Sequence, residues 1–470
     1  MALKDNGGGL TSTLASFYSA LEYEDLSPRE VDRAKYFCLD YLGVAIRGAV
    51  TPSSEVIQSA VKALSPDGDS VIMGSSLRAS PEYAALCNGA AAHSIEMDDV
   101  QNDSSLHPAV ATFPAAFACA DLLGARGDPP VDGRRFIGAI TAGYDVMVRI
   151  GKGLDPRRHY ARGFHPTGTC GTFGAAVVAS RLLGLDARET AWAMGVAGSQ
   201  AAGSLEFLAD GAWTKRMHPG WAAHSGIIGA LLSSRGFVAP TTILEGRDGF
   251  LHGYTDDADE TKVLEGLGDT FYINKVSIKP HACCRYNQGP LDCILEIVRE
   301  NRLSHVDVEK VTVGVLQAGY NVVAAPAEQK RNPKNVVDAQ FSMPFGAAVA
   351  ILNGRATLDE YTEESLSSPL VKQLMDRVVC VRDPALEANY PSRWPAWAEV
   401  TTGDGRTLRA EIEFPKGDPE NALSWQEIKD KFRNLTGPVI PADRQEAIIA
   451  SVDSLESLED VRDLAALTAL

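Results

Sequence analysis

The stretch GFHPTGTCGTFGAA, Gly163 to Ala176, decides how the rest of the chain is read. It sets one histidine, His165, among small residues and follows it with Gly168, Gly171 and Gly174 at steps of three. On a helix that spacing lines bare backbone patches along one side, where a neighbouring helix can come close. A helix start also exposes unpaired N–H groups and partial positive charge, which suits an anionic ligand. A histidine beside it can move protons near neutral pH. Two readings follow: close packing around a satisfied histidine, or a ligand-facing helix start. The stretch alone favours packing, so the decision rests on what surrounds it.

Outward from that helix, which is expected to run to about Leu183, the first half of the chain reads as helix after helix. Ser27-Pro28-Arg29-Glu30 is a capping box that opens a helix to about Gly48. Further helices are expected over 52–64, 81–93, 134–150 and 218–234, and Asp186 with Glu189 caps another towards Gly198. Near Asp269 the texture changes. Strands are expected over 271–278, 306–316, 378–382, 396–402 and 407–414, the last two joined by Gly403-Asp404-Gly405, with helices over 288–301, 343–353 and 367–377 between them. Helices return over 425–434 and 441–455. The pattern predicts a mainly α protein with an α+β lid. A large helical domain is built from both chain ends, 1–268 and 415–470, and a smaller α+β domain, 269–414, is inserted in it.

The 470 residues suffice for two or three domains with a large core. Hydrophobic content of 45% and charged content of 22% are those of an ordinary globular chain. No run reaches the apolar length expected of a membrane span, and the N-terminal MALKDNGGGL lacks the basic-then-apolar order of a secretory leader. A cytoplasmic location is expected. A formal charge of −17 argues against nucleic acid or an anionic membrane as partner. The cysteines, at 38, 87, 119, 170, 283, 284, 293 and 380, form no CxxC pair, so neither a zinc site nor a disulfide framework is expected.

Four clusters could carry chemistry. Glu96, Asp98 and Asp99 stand before His107. Arg157, Arg158, His159 and Arg162 lead to His165. Lys215-Arg216-Met217-His218 precedes Pro219-Gly220, and KPHACCR spans Lys279 to Arg285. The first cluster lacks the paired histidines of one helix face that a metal would want, so metal is the weakest option there. Three clusters are cationic at element ends in an acidic protein, which suits a carboxylate ligand. For any single Lys or Arg the bland alternative is a solvated charge. His93, His224 and His252 read as structural, because the sequence gives them no partner. A nucleophilic Cys283 or Cys284, activated by Lys279 and Arg285, is disfavoured for want of a histidine.

Seven segments in order resemble the MmgE/PrpD family, the group holding 2-methylcitrate dehydratase, cis-aconitate decarboxylase and iminodisuccinate epimerase. They are NGAAAHSIEMDDV (88–100), GFHPTGTCGTFGAA (163–176), TKRMHPGWAAHSGIIGALL (214–232), GFVAPTTILEGRDGF (236–250), KPHACCRYNQGPLD (279–292), KRNPKNVVDAQFSMPFGAAVA (330–350) and FPKGDPENALS (414–424). The resemblance implies a helical domain with an α+β lid, a homodimer, and no metal or other cofactor. It implies His165, His107 and Lys215 as catalytic residues, and Glu96, Asp98, Lys279, Arg285 and Tyr320 as residues that bind a small anionic carboxylate. Three departures stand out: Glu96 replaces the first Asp of the family's D-F-D-D-T, Val100 replaces its Thr, and Cys284 stands where decarboxylase-type members carry a lid histidine.

The activities share one step, proton transfer at a carbon α to a carboxylate, with the developing charge held by preorganised cations. The expected function is therefore a cofactor-independent lyase on a di- or tricarboxylate, with a 2-methylcitrate dehydratase-like hydro-lyase as the leading named case. A cis-aconitate-type decarboxylase or an iminodisuccinate-type epimerase on the same site is the alternative. A carboxylate-binding protein without catalysis is the reading from another class.

Overall fold

The computed structural model describes residues 8–390 and 392–470. Residues 1–7, which carry most of the N-terminal stretch weighed above as a leader, lie outside the described residues, as does Pro391. The chain divides into two compact units, the first within Met1–Val276 and Ser424–Leu470, the second Ser277–Leu423.

The first unit is helical, and the helix that follows His165 packs against four of its other main helices. Its main helices are α1 (Pro28–Ala49), α2 (Pro81–Ala92), α3 (Ala109–Arg126), α4 (Gly133–Gly153), α5 (Pro166–Leu183), α6 (Ala187–Gly198) and α7 (Thr214–Ser233). Local chemistry sets their ends. Ser27 with Glu30 and Asp186 with Glu189 form capping boxes. Asp132 accepts from the Arg135 N–H at 2.8 Å to start α4. Gly184, at φ +70°, closes α5 in the left-handed conformation. Helix α5 is buried along nearly its whole length and packs against α3, α4, α6 and α7. Its small residues make this possible: a Cβ on Gly171 would meet the Cβ of Ala111 at 3.0 Å, and one on Gly174 the Gly143 carbonyl at 3.1 Å. Helices α2 and α7 touch backbone to backbone, because a Cβ on Gly220 would stand 2.1 Å from the Leu86 carbonyl oxygen.

Two of the longer helices lie where no helix is expected from the sequence. Leu10–Ala20 starts without a side-chain cap. Helix α3 starts at Ala109 after Pro108, also without one, and carries Pro114 inside it. It is apolar on most sides, so it has no 3.6-residue stripe to read. By length and composition α3 is also apolar enough to cross a membrane, which corrects the expectation that no run is, and 72% of it is buried inside the protein. Helix α7 begins four residues before the expected His218 and runs through Pro219.

The expected strand over 271–278 is instead a 3-10 turn, Tyr272–Lys275, followed by the two-residue strand Val276–Ser277. The cause is Arg149 on α4. Buried completely, it bonds Asp145 at 2.7 Å and donates to the carbonyls of Glu265 and Thr270, both at 2.7 Å. Asp145 in turn accepts from the Tyr272 N–H at 2.8 Å. This segment is thereby tied to α4, and the first unit extends to Val276 instead of ending at 268.

The second unit is built on a four-stranded sheet of β1 (Val308–Val315), β2 (Val378–Arg382), β3 (Ala396–Thr402) and β4 (Thr407–Ile412), in the order β2-β1-β3-β4. β1 pairs parallel with β2 (Val311 opposite Val378) and antiparallel with β3 (Val313 opposite Ala398), and β3 pairs antiparallel with β4. Helix α8 (Arg285–Asn301) packs on β3 and β4, and on α9 (Met343–Asn353). The segment 415–423 belongs to this unit. The Ile278 N–H reaches the Gly417 carbonyl at 3.0 Å, the Lys416 N–H reaches Asp292 at 2.8 Å, and Asp418 takes both Ser277 and Arg285.

Candidate active site

Within the first unit the segment from His93 to Pro108 joins α2 to α3 and carries four of the candidate side chains. Its backbone turns sharply at Glu96, whose φ of +58° is left-handed for a residue with a side chain. Glu96 forms an ion pair with Lys215 from the first turn of α7, and both side chains are nearly buried. Lys431, on the Trp425–Thr436 helix, pins the neighbouring turn by donating to the Met97 carbonyl at 2.7 Å while it pairs with buried Asp40 at 2.5 Å. Asp99 faces inward. It accepts from the Ala109 N–H at 3.1 Å and from the Tyr144 hydroxyl at 2.8 Å, so it takes up the first N–H of α3, which the N-cap residue Pro108 leaves without a partner side chain. Burial, and then the neighbouring Asp98, push its carboxyl well above the usual carboxylate range.

Asp98 holds two histidines. Its Oδ2 lies 2.7 Å from Nδ1 of His93 and 3.1 Å from Nδ1 of His107. The His107 Nδ1 also meets the Asp99 carbonyl oxygen. Two acceptors fix the proton of His107 on Nδ1 and leave Nε2 as the nitrogen that can change protonation. His93 is completely buried, and its Nε2 has no hydrogen-bond partner among the described residues.

His165 caps α5 from its N-terminal side. The Gly203 carbonyl accepts from its backbone N–H at 2.9 Å, which sets the ring between α2 and α7. One face stacks on His93, centroids 5.7 Å apart and planes 23° apart, and Phe207 stands edge-on at 6.2 Å. Nδ1 lies 3.1 Å from Nδ1 of His218. The side chains therefore form a series, His107–Asp98–His93–His165–His218, buried except at His107, which is partly exposed. Burial, then His93, His218, Lys215 and His107, hold the His165 imidazole well below its ordinary 6.5. Burial, His93 and Lys215 take His218 down to about 4. His165 is thus not poised near neutral. It is held as a neutral ring, and anionic charge placed beside it would raise its affinity for a proton.

The structure brings His165, His107, Lys215, Glu96 and Asp98 together and adds His93 and His218, which the sequence reading had set aside or merged into a basic run. Their signal was faint: His93 stands five residues before Asp98, and His218 three after Lys215. Donor atoms of His93, Asp98 and His107 lie within 4.8 Å of one another, so this trio could hold a metal ion despite the missing histidine pair on one helix. In the present arrangement both Nδ1 atoms point at one carboxylate oxygen, the geometry of a hydrogen-bonded triad.

Lys279, Arg285 and Tyr320 lie in the second unit. Lys279 is buried. The Arg285 Nη2 lies 2.6 and 2.7 Å from the two carboxylate oxygens of Asp418, and the guanidinium sits 5.1 Å over the Trp394 ring. Tyr320 is half-buried and carries the Arg382 guanidinium 5.5 Å over its ring. Burial pushes the Cys283 thiol far up, which disfavours a thiolate nucleophile.

The first unit thus gathers histidines and a lysine around a buried carboxylate, and an α+β unit is inserted in its chain. Sequence profiles of the MmgE/PrpD N-terminal domain and the MmgE/PrpD C-terminal domain match residues 12–262 and 281–457. The chain belongs to the MmgE/PrpD family, and it is an enzyme of the lyase type. It is 29% identical over 461 residues to a cis-aconitate decarboxylase-like protein of Aspergillus oryzae, covering 95% of this chain and 94% of the relative. It is 28% identical over 459 residues to cis-aconitate decarboxylase of Aspergillus terreus, covering 94% and 92%. Similarity to 2-methylcitrate dehydratase of Cupriavidus necator is 28% over 157 residues, covering 32% and 31%.

Proposed function

We propose that this protein is a lyase that acts, without metal or organic cofactor, on a small tricarboxylate of the cis-aconitate kind and releases one carboxylate as carbon dioxide. The series from His107 to His218 with Lys215 beside it carries the reading. The extent of similarity to cis-aconitate decarboxylases, against the one-third match to dehydratases, supports decarboxylation over the dehydration that the sequence alone put first.

The C–C bond to the departing carboxylate breaks and leaves its electron pair on the carbon skeleton, delocalised towards a remaining carboxylate. Lys215, which adds to the electrostatic depression of His165, supplies positive charge to stabilise that anion. The family resemblance adds Lys279, Arg285 and Tyr320, all of the second unit, as carboxylate-binding residues. A bound polyanion raises the proton affinity of His165, which then delivers a proton from Nε2 to the carbon α to a remaining carboxylate. His107, its Nδ1 proton fixed by Asp98 and the Asp99 carbonyl, serves as the counterpart at Nε2. Positioned acids of this kind contribute about 10²- to 10⁴-fold.

A panel of polycarboxylates in heavy water tests this. The expected result is carbon dioxide release from cis-aconitate, one carbon-bound deuterium in the product, and loss of at least about 100-fold in turnover for His165→Ala. Loss of water from a hydroxy acid would move the assignment to dehydration. Exchange without net conversion would move it to epimerisation. Binding without any chemistry, or full turnover by His165→Ala, would overturn the proton-transfer reading.

A homodimer is part of this reading. The outer face of α7 supports it with Trp213, Met217, Trp221 and Leu232, each 37–47% exposed and spaced as one helical stripe.

A further inference from the structure

His165 and His218 meet Nδ1 to Nδ1 at 3.1 Å, and both rings are buried. Two imidazoles satisfy that contact in two ways when both are neutral. Either His165 donates Nδ1–H and keeps a bare Nε2, or His218 donates and His165 carries its proton on Nε2. If both rings held their protons on Nε2, two lone pairs would face each other inside the protein, a costly arrangement. The backbone closes tightly around the pair. A Cβ on Gly168 would lie 3.1 Å from the His218 Cβ, and one on Gly203 would lie 3.4 Å from its Nδ1. Phe207 stands edge-on to both rings at 6.2 Å.

We propose that His218 is the positioning residue of this enzyme: it selects the tautomer of His165, and the two rings hold one transferable proton between them. This rests on His165 as the proton carrier proposed above. When His165 Nε2 takes a proton, the Nδ1 proton of His165 passes to Nδ1 of His218. The N–H bond on His165 Nδ1 breaks, one forms on His218 Nδ1, and the positive charge moves to His218, away from the substrate. Donation runs the same steps in reverse. The charged and titratable groups facing the pair are Lys215 from α7 with its partner Glu96, His93 from the end of α2, and His107. Lys215 is already cationic and His93 stacks on His165. A second proton on the pair is therefore disfavoured by charge as well as by burial.

Two measurements test this. His218→Asn keeps a hydrogen-bonding atom near the Nδ1 position but cannot take up the proton. It is expected to lower kcat about 10- to 100-fold, to leave KM within about threefold, and to move the pH limb of kcat by one unit or more. A folded variant with unchanged kcat and unchanged pH limb would sink the inference. Independently of activity, nitrogen-15 spectra of the nine histidines, assigned with His165→Asn and His218→Asn, report the tautomers in wild type. One ring of the pair is expected to carry Nδ1–H, and the pair to take up no more than one proton as the pH falls to 4. Two Nε2–H rings, or two protons taken up, would overturn it. Because the spectra need no substrate, they separate failure of the pair from failure of the proposed reaction.

Discussion

Lowering the pH from 7.5 to 5 is expected to destabilise the wild-type chain by about 2 kcal/mol more than a His159→Gln variant. His159, in the short helix Pro156–Ala161, is completely buried. Its Nδ1–H donates to the Tyr254 carbonyl at 2.9 Å, and its Nε2 accepts from the Thr169 hydroxyl at 2.9 Å, so both nitrogens are committed to the neutral ring. Burial, with Arg162 adding to it, takes the imidazole down to about 4 despite the Tyr254 bond. In the unfolded chain the ring titrates near about 6.5. Between those values the unfolded chain binds the extra proton. The contribution of His159 is therefore complete above about 6.5 and is lost as the pH falls from there towards 4. At pH 5 the loss is RT ln[(1 + 10^1.5)/(1 + 10^−1)], or about 2 kcal/mol. Urea unfolding of both proteins at several pH values measures it, and the difference between them cancels other groups. Asp121, lifted by burial to about 6, is one such group and acts with the opposite sign. Parallel stability curves for the two proteins would refute the reasoning. Thr169 lies in the first turn of α5, so the same titration bears on the start of the helix that carries His165.

Lys431→Met removes one partner of the buried pair with Asp40 and is expected to cost about 3–5 kcal/mol in urea unfolding. Gly220→Ala drives a methyl group into the Leu86 carbonyl and is expected to cost about 1–3 kcal/mol, read from thermal melting. Exhaustive dialysis against a chelator is expected to leave turnover unchanged, whereas stoichiometric metal with chelator-sensitive activity would assign the His93–Asp98–His107 trio to an ion. Trp221→Glu is expected to shift the chain from dimer to monomer in analytical ultracentrifugation without unfolding it.

Elements with local chemistry at their ends could be read from the sequence. The capping boxes at Ser27 and Asp186 sit where the spacing put them, and the Val308–Val315 strand shows the alternation that located it. What could not be read was decided at a distance. Helix α3 has no capping side chain at its own N-cap, its first N–H being taken by Asp99 ten residues upstream, and it is apolar on most sides because other helices surround it. The segment before Val276 is held by Arg149, more than 100 residues earlier. The same holds at the site. His107, His165 and Lys215 were named through family-like motifs, and Glu96 and Asp98 by their place in an acidic cluster. His93 and His218 carry no local pattern, because their partners, Asp98 and His165, depend on how α2, α5 and α7 meet. Lone histidines on small-residue helices read as core until the neighbours are known.

The contact of Lys431 with the Met97 carbonyl and Asp40 bears on synthesis. The turn that presents Glu96 and Asp98 is completed by a residue that leaves the ribosome more than 300 residues later, after the whole second unit has been made. Until then Lys431 can meet neither Asp40 nor the Met97 carbonyl. Contacts so far apart in sequence slow folding and prolong the life of partly folded species. A nascent chain truncated before residue 424 carries all the histidines of the candidate site without Lys431, so the turn that bears Glu96 and Asp98 gains this contact only when the last helices are made.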